Sequence, residues 1–391
     1  MLGALGADAG ETRLVGGAVR DAILGLPVAD IDLATVHLPE EARRRIEAAG
    51  WKAIPTGLEH GTITAVSGEE RLEVTTLRRD VATDGRRAVV AFTTDWAEDA
   101  ARRDFTLNAL YADPLSGALF DPTGEGLADL AAGRVRFIGD PLTRIAEDHL
   151  RILRFFRFHA RFARGEPDAA GLAACVVRAN DLMALSRERI RDELFKLLVA
   201  PRAVETVALM VGRGVLTAVL PEAGDVAGLA RLAARETELD LDPEPLRRLA
   251  ALLPADPALA EAIAGRLRLS NVQRQRLVAM ATRLDGPPQS PLGRAQAVAE
   301  LAWWRGGEGA RDALLLGASE PEEGDIALLD GWVRPRFPVS GGDLIAAGVP
   351  AGPEVARRLA AVERAWVKSG FPADAAPLLR QTDEPGAPDG T

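Results

Sequence analysis

The sequence changes character near residue 140, and this change limits the folds that the chain can adopt. Before that point, short apolar runs alternate with two helical stretches, which is typical of a small α/β domain. The runs lie at 12–15, 30–36, 61–66 and 71–77, and the helical stretches at 18–24 and 39–49. Afterwards the sequence is rich in Ala, Leu, Arg and Glu, and Gly or Pro residues divide it into helix-length segments. We therefore predict an α/β head with a small mixed β-sheet, followed by an all-α remainder.

With 391 residues, the chain is long enough for two to three domains. We predict a head over residues 1–137, a helical neck over 138–200, and a helical body and tail over 201–391. Residues 79–95 are polar and contain Asp-Gly, so we expect a loop there. From about residue 381 the sequence is rich in Pro, Gly and Asp, and we expect this end to be frayed.

Composition excludes several classes of protein. The single cysteine, Cys175, excludes an internal disulfide framework. No uncharged apolar run approaches the roughly 18 residues of a membrane helix, so we expect no membrane partner. The first residues carry no basic segment before an apolar one, so we expect no signal peptide. One cysteine and no export signal together predict a cytoplasmic location. The net charge is −10, yet only three of the 47 basic residues are lysine. Arginine makes forked contacts with phosphates and bases.

Two acidic residues in the segment DIDLAT are candidate metal ligands. Asp30 and Asp32 would point to the same face of a strand, because side chains alternate along it. Neighbouring carboxylates repel each other, and a magnesium ion between them relieves this repulsion. A third acid, Glu73, lies mid-strand between apolar residues. It is either a third ligand or part of the exposed face of a half-buried strand.

A glycine pair precedes the first helical stretch. Gly16 and Gly17 follow an apolar strand, and Arg20 lies one helical turn further on. Glycines allow the backbone to approach a ligand closely, and the start of a helix suits a phosphate group. The alternative is an ordinary tight turn.

The segment EDAARRDFTLNAL, residues 98–110, combines basic, acidic and amide side chains: Arg102, Arg103, Asp104 and Asn108. Asp104 and Asn108 share a face if the segment is helical, because residues four apart lie together. Such a set could hold a triphosphate and a ribose. The alternative is a salt-bridged helix.

Residues 144–164 predict one helix with a charged face. The charged residues recur at spacings of three and four, and an apolar face lies behind them. They are Asp148, Arg151, Arg154, Arg157, Arg161 and Arg164. Five arginines on one face repel one another unless an anion lies along it, although a solvated face is the alternative.

One pair on that face suggests how a base could be selected. An ionised Asp148 can only accept hydrogen bonds, and Arg151 can only donate them. Cytosine and adenine present an amino donor beside a ring-nitrogen acceptor, whereas guanine and uracil present the reverse. The pair would therefore accept C and A and reject G and U, because mispaired polar groups are costly.

Taken in order, these segments resemble the class II tRNA nucleotidyltransferases, which are the CCA-adding enzymes, and the related bacterial poly(A) polymerases. The resemblance covers roughly residues 14–198. The matching segments are GGAVRDAILG (16–25), DIDLAT (30–35), GLEHGTITAV (57–66), LEVTTLR (72–78), EDAARRDFTLNAL (98–110), GDPLTRIAEDHLRILRFFRF (139–158) and LSRERIRDELFKLL (185–198).

The resemblance implies a function and roles for the residues above. Attack of a tRNA 3′-hydroxyl on the α-phosphate of CTP or ATP would release pyrophosphate, with two Mg²⁺ ions held by Asp30 and Asp32. Glu73 carries over less securely, because family members vary there. The residues implied for the nucleotide are Gly16, Gly17, Arg20, Arg102, Arg103, Asp104 and Asn108 for triphosphate and ribose, and Asp148, Arg151, Arg154 and Arg157 for the base.

Within the family, CCA addition fits better than poly(A) synthesis. The segment GLEHGTITAV resembles the CCA-adding branch, and the Arg-Arg-Phe signature of poly(A) polymerases is missing there. Enzymes that add only CC or only A share all these motifs and stay open as alternatives, as does poly(A) polymerase. Residues 79–95 match a loop that the family links to adding A after C. The expected partners are tRNA, CTP and ATP rather than DNA, and the C-terminal half is expected to bind tRNA phosphates.

Overall fold

The computed structural model describes residues 1–28, 30–83, 88–374 and 377, with the backbone alone at 80–83 and 88–90. The chain divides into two compact units, Met1–Gly224 and Asp225–Thr391. The predicted head and neck both lie in the first unit, together with residues 201–224. The expected boundaries at 137 and 200 stay predictions. The expected frayed end from residue 381 lies outside the described residues.

A mixed β-sheet forms the centre of the first unit. In the described residues the strands are β1 (Thr12–Val15), β2 (Asp32–Thr35), β3 (Lys52–Gly57), β4 (Thr62–Ser67), β5 (Glu70–Thr76), β6 (Arg78–Thr83), β7 (Ala88–Phe92), β8 (Tyr111–Ala112) and β9 (Leu119–Phe120). Seven of these form one sheet in the order β3-β4-β5-β2-β1-β8-β9. Strands β2 and β5 are parallel, and the other paired neighbours are antiparallel. The α/β head is thus confirmed.

Helices occupy the rest of the first unit. They are α1 (Gly17–Ile23), α2 (Pro39–Ala48), α3 (Trp96–Ala101), α4 (Gly126–Ala132), α5 (Pro141–Glu147), α6 (Arg151–Phe162), α7 (Ala169–Val177), α8 (Arg187–Leu198) and α9 (Ala203–Gly212). Helix α2 covers one face of the sheet, where Ile46 packs with Leu33, Ile63 and Val74. Because strand side chains alternate, the residues beside these apolar ones emerge on the opposite face.

The structure differs from the predicted single helix over residues 144–164. Helix α5 ends at Glu147 and α6 begins at Arg151. Between them, Asp148 has extended backbone angles, and its side chain accepts a hydrogen bond from the Leu150 N–H at 3.1 Å. An aspartate that bonds a backbone N–H two residues onward offers the chain an alternative to the helix. Asp148 is therefore not on the helix that carries Arg151.

The prediction of a loop over residues 79–95 is also wrong for residues 79–83 and 88–92, which are in strands. Strands β6 and β7 pair with each other in a separate antiparallel ribbon. Valine and threonine in these segments favour strands even though charged residues lie between them. Residues 84–87, which contain the Asp-Gly pair, lie outside the described residues.

The second unit is helical in its described part, as predicted. Its helices are α10 (Val226–Glu238), α11 (Pro245–Leu252), α12 (Pro257–Arg266), α13 (Asn271–Met280), α14 (Arg294–Leu316), α15 (Glu323–Asp330), α16 (Gly341–Ala346) and α17 (Pro353–Lys368). Helix α14 is kinked at Gly306, whose φ of 75° is not helical. Across the described residues of both units, none of the helices combines the length and apolarity needed to traverse a membrane.

Candidate active site

Three carboxylates meet at the edge of the sheet where β2 begins. Asp32 and Glu73 are directly paired residues of the parallel strands β2 and β5, and the Glu73 N–H donates to the Ile31 carbonyl at 3.2 Å. Asp30 precedes β2 rather than lying on it as predicted, and Ile31 between the two aspartates is 38% exposed. Asp30, Asp32 and Glu73 nevertheless line one groove of about 770 Å³.

The charges in this groove are poorly balanced. Burial raises the pKa of Asp32, Glu73 and Asp30 raise it further, and Arg103 opposes them. Neighbouring carboxylates raise each other's pKa because their negative charges repel, and a bound cation relieves this repulsion. Among the described residues, no three potential ligands are arranged to hold a metal ion by themselves. Magnesium usually takes only one or two carboxylates and completes its shell with water and substrate phosphates, so the donor set fits this ion.

The glycine turn lies on the β1 side of these carboxylates. Gly16 has a φ of 69°, a conformation that favours glycine, and its N–H donates to the Leu110 carbonyl at 3.0 Å. A Cβ atom at Gly16 would lie 3.5 Å from the Arg103 guanidinium and 3.6 Å from the Asn108 carbonyl oxygen. The turn thus brings the backbone next to residues of the segment 98–110.

A buried polar chain connects Arg20 to helix α6. The Arg20 guanidinium donates to Asn108 Oδ1 at 2.5 Å, and Asn108 Nδ2 donates to Asp104 Oδ1 at 3.0 Å. Arg154 Nε donates to the other Asp104 oxygen at 2.7 Å. Burial alone would raise the pKa of Asp104, but Arg154 and Asn108 lower it below its usual value. Asp104 and Asn108 do not lie on one helix, which was the condition for them to share a face. A 3₁₀ turn, Thr106–Asn108, brings them together instead.

Arg102 and Arg103 are anchored by a residue that the sequence analysis did not identify. Asp99 is 1% exposed and accepts hydrogen bonds from Arg102 at 2.8 Å, Arg103 at 2.9 Å and the Tyr111 hydroxyl at 2.7 Å. Burial alone would raise the pKa of Asp99, but Arg103, Arg102 and Tyr111 lower it to about 2. Its position three and four residues before the two arginines was the available signal.

The arginines of α6 are neutralised by acids of neighbouring segments. Arg151 pairs with Glu147, Arg154 with Asp104 at 2.5 Å, Arg157 with Glu193 at 2.6 Å and Arg161 with Asp21 at 3.9 Å. Arg164 lies beyond the end of the helix. Acids of other segments therefore offset the predicted repulsion along this face without removing it, since Arg154 still lowers the pKa of Arg157.

Asp148 and Arg151 are adjacent although they do not share a helix. The Arg151 N–H donates to the Asp148 carbonyl at 3.0 Å. Asp148 Oδ2 accepts from Arg189 of α8 at 2.8 Å, and the Arg151 guanidinium donates to the Arg144 and Arg102 carbonyls at 2.8 and 3.0 Å. Both side chains are thus fixed by neighbours. Arg189 was missed by the sequence analysis, although it lies in the matching segment 185–198.

Comparisons with known proteins agree with this geometry. The Poly A polymerase head domain family model matches residues 12–136, and the model for the probable RNA and SrmB-binding site of polymerase A matches residues 169–225. The CCA tRNA nucleotidyltransferase 1, mitochondrial, of Mus musculus is 35% identical over 384 residues, which cover 92% of this chain and 84% of that protein. Its Homo sapiens counterpart is 35% identical over 394 residues, with coverages of 94% and 86%.

Among solved structures, the CCA-adding enzyme of Bacillus stearothermophilus in complex with CTP is similar at a TM-score of 0.77. It is 29% identical in sequence, and the match covers 97% of this chain and 96% of that one. The mixed sheet followed by helices is therefore an arrangement shared with a CCA-adding enzyme.

The comparisons correct the predicted cytoplasmic location. The mouse and human relatives, which match over more than nine-tenths of this chain, are mitochondrial enzymes by name, and this finding contradicts the prediction. A single cysteine could not distinguish the two compartments, because it indicates only that folding does not depend on disulfides.

The identity and coverage of these relatives also settle the family: the chain belongs to the class II CCA-adding tRNA nucleotidyltransferases.

Proposed function

We propose that this protein adds C, C and A in turn to the 3′ end of tRNA, using CTP and ATP and releasing pyrophosphate. One observation carries the proposal: Asp30 and Asp32 are intact and face one groove in a chain that matches CCA-adding enzymes along almost its whole length. A member of the family that had lost catalysis would not need to keep two converging carboxylates.

Asp30 and Asp32 would hold two Mg²⁺ ions, with Glu73 beside them as a third carboxylate. When bound, these ions would promote deprotonation of the RNA 3′-hydroxyl and neutralise charge on the leaving pyrophosphate. In the reaction a bond forms between the 3′-oxygen and the α-phosphorus, and the bond from the α-phosphorus to the bridging oxygen breaks. The proton of the hydroxyl passes to solvent. The unbalanced charge of the carboxylates supports their assignment as the residues that would hold the metal ions.

The residues on the β1 side of the carboxylates would bind the nucleotide. The glycine turn at Gly16 and Gly17 would allow a phosphate close to the backbone, beside Arg20. Arg102 and Arg103 would add positive charge, and Asp99 fixes their orientation. Burial lowers the pKa of Arg103, but Tyr111 and Asp99 raise it more, so this guanidinium stays charged.

Asp104 and Asn108 would serve the ribose, and they are held between Arg20 and Arg154 by hydrogen bonds of 2.5 to 3.0 Å. Such a chain of buried bonds fixes the position of each member. Arg154 would therefore act by positioning Asp104 as well as by its charge.

Asp148 and Arg151 would read the incoming base. The Asp148 carboxylate would accept a hydrogen bond from the amino group of C or A, and the Arg151 guanidinium would donate one to the ring nitrogen beside it. Arg189 and Glu147 hold the two side chains, which supports a fixed reading edge. Arg157 lies further along α6 and pairs with Glu193, so its contribution would be to hold α6 against α8. Residues 201–391 would bind tRNA through phosphate contacts that do not read sequence.

A nucleotide-addition assay tests this function. Purified protein and Mg²⁺ are given tRNA ending at the discriminator base, at C, or at CC, with each labelled nucleoside triphosphate alone and with CTP and ATP together. We expect addition to stop after C, C and A. An A-only product on the CC-ended tRNA would mean an A-adding enzyme, a product that stops at CC would mean a CC-adding enzyme, and a long A ladder would mean a poly(A) polymerase.

A further inference from the structure

The groove that contains the carboxylates extends across three more strands. Ile54 of β3 pairs with Thr64 of β4, Thr64 pairs with Glu73 of β5, and Glu73 pairs with Asp32 of β2. These four residues therefore form one row across the sheet. Four paired strands span about 14 Å at the usual spacing between strands. The other face of these strands is buried against the core, so this face is free to hold a ligand.

A second row runs beside the first and carries positive charge. Lys52 of β3 pairs with Val66 of β4, and Val66 pairs with Arg71 of β5. Both basic side chains line the groove and are exposed. Over the described ranges of the chain, neither residue forms an ion pair within 4 Å, whereas Arg151, Arg154 and Arg157 of α6 are all paired. These two cations, which have no acidic partner in the described part of the chain, are placed to meet an anion.

The part of the groove over β3, β4 and β5 lies on the opposite side of Asp32 from the proposed nucleotide site. In the sheet order, β1 leads to Gly16 on one side of β2, and β5, β4 and β3 follow on the other. Arg103 approaches Asp32 from the β1 side, since it lies next to Gly16. In an in-line displacement at phosphorus, the attacking and leaving oxygens lie on opposite sides of the phosphorus atom. If the triphosphate binds on the β1 side, the attacking hydroxyl approaches from the β5 side.

We propose that the groove over β3, β4 and β5 binds the last two nucleotides of the RNA acceptor. Lys52 and Arg71 contact backbone phosphates, Thr64 and Thr56 face the sugars, and Ile54 and Val66 pack against the sugar and base. The inference rests on the proposed addition to an RNA 3′ end. Contacts of this kind do not read sequence. That suits an acceptor whose terminal nucleotide changes at every step of addition.

The first test is a pair of charge-removing variants, Lys52→Gln and Arg71→Gln, assayed with CC-ended tRNA and ATP and with C-ended tRNA and CTP. We expect each to raise the KM for tRNA about tenfold, as for loss of one charge-assisted contact. We expect the KM for either nucleotide to change less than about twofold. Arg44→Gln is the matched control, because the Arg44 side chain is 76% exposed on α2 and, among the described residues, pairs only with Glu41 in its own helix. It should leave both KM values unchanged.

The second test removes the charge from the RNA instead. A tRNA whose last phosphodiester is replaced by a neutral methylphosphonate should bind the wild type about tenfold more weakly than unmodified tRNA does. The Lys52→Gln, Arg71→Gln double variant should bind the modified and the unmodified tRNA equally well, because it lacks the charges that contact this phosphate. A raised KM for nucleotide with an unchanged KM for tRNA would overturn the inference. The inference would also be overturned if the methylphosphonate weakened tRNA binding to the double variant by the same factor as in the wild type, so that the two losses added. If the wild type adds nothing to any tRNA end, the proposed function itself fails, and this result is distinct from both.

Discussion

The carboxylate edge of the sheet and the arginine face of α6 are both strongly charged, yet they differ in how the charge is balanced. At the carboxylate edge, Asp32 lies beside Glu73 and Asp30, and their mutual repulsion contributes to its raised pKa. On α6, every arginine from Arg151 to Arg161 has an acidic partner. Charge left unbalanced by the protein indicates where a charged ligand binds, whereas balanced charge holds the elements around it in place.

The largest effect is expected where the charge is unbalanced. Asp32→Asn should reduce the rate of addition about a thousandfold or more, because metal coordination supplies several kcal/mol of transition-state stabilisation. The folded protein should be at least as stable as the wild type. The raised pKa of Asp32 means that its ionisation at neutral pH disfavours the folded state, and asparagine removes this cost. Single-turnover rates and thermal unfolding at pH 7 measure the two quantities. A large loss of stability in this variant would make Asp32 structural.

Asp99→Asn should give the opposite result, because Asp99 belongs to the balanced charges. Its pKa is about 2 in the folded protein against an ordinary value of 3.8, so its ionised form stabilises the fold. The variant should lose about 2 kcal/mol in the free energy of unfolding at pH 7. Because the folded pKa is the lower one, this stabilisation is present above about pH 4 and is lost as the pH falls toward 2.

Urea unfolding at pH 7 and at pH 3 checks this prediction. Asp95→Asn is the matched control on the same helix, since Asp95 caps α3 through the Ala97 N–H and asparagine caps equally well. A difference between Asp99→Asn and wild type that did not narrow at pH 3 would show that the ion pairs with Arg102 and Arg103 are not its source.

Removal of the base-reading acid should have an intermediate effect. Asp148→Ala should reduce the preference for CTP and ATP over UTP and GTP by about 10- to 100-fold, through loss of the only acceptor in the pair. Arg189→Gln should weaken selection less, because Arg189 positions Asp148 without reading the base. Ratios of kcat/KM for the four nucleotides give the result, with Asp192→Ala on the exposed side of α8 as the control. Full retention of selectivity in Asp148→Ala would refute the assignment.

The smallest effect is expected at the surface. Arg43 and Glu47 form an exposed pair at i and i+4 on α2, with a distance of 2.9 Å. Arg43→Ala should change the free energy of unfolding by less than about 0.5 kcal/mol, because solvent screens such pairs. Urea unfolding at pH 7 measures it. A loss above 1 kcal/mol in the free energy of unfolding would contradict the claim that exposed ion pairs stabilise the fold much less than buried ones.

Local patterns predicted much of the fold. Strands β1 and β4 and helices α1 and α2 lie within one or two residues of their predicted positions. Their limits depend on the spacing of apolar residues and on glycines within the same short segment, so they can be predicted from local sequence. The family and its site motifs could also be recognised from residues alone. The roles of the individual site residues stay predictions, although the structure brings Arg20, Asn108, Asp104 and Arg154 into contact.

What the sequence could not predict depends on partners from distant segments. The acids that neutralise α6 come from as far away as Asp21 and Glu193, and nothing in the helix itself identifies them. The break at Asp148 combines one local partner with one distant partner. A side chain that bonds the Leu150 N–H and receives Arg189 from α8 outweighs the helical pattern on either side.

The most direct test of the central claim is metal binding at the carboxylate edge. Mn²⁺ serves as a spectroscopic substitute for Mg²⁺, and its binding in the presence of CTP can be titrated by electron paramagnetic resonance for wild type and Asp32→Asn. We expect the wild type to bind Mn²⁺ and the variant to lose most of this binding while it remains folded. Equal binding by the two proteins would mean that the unbalanced carboxylates do not hold the metal, and the account of the site would be wrong.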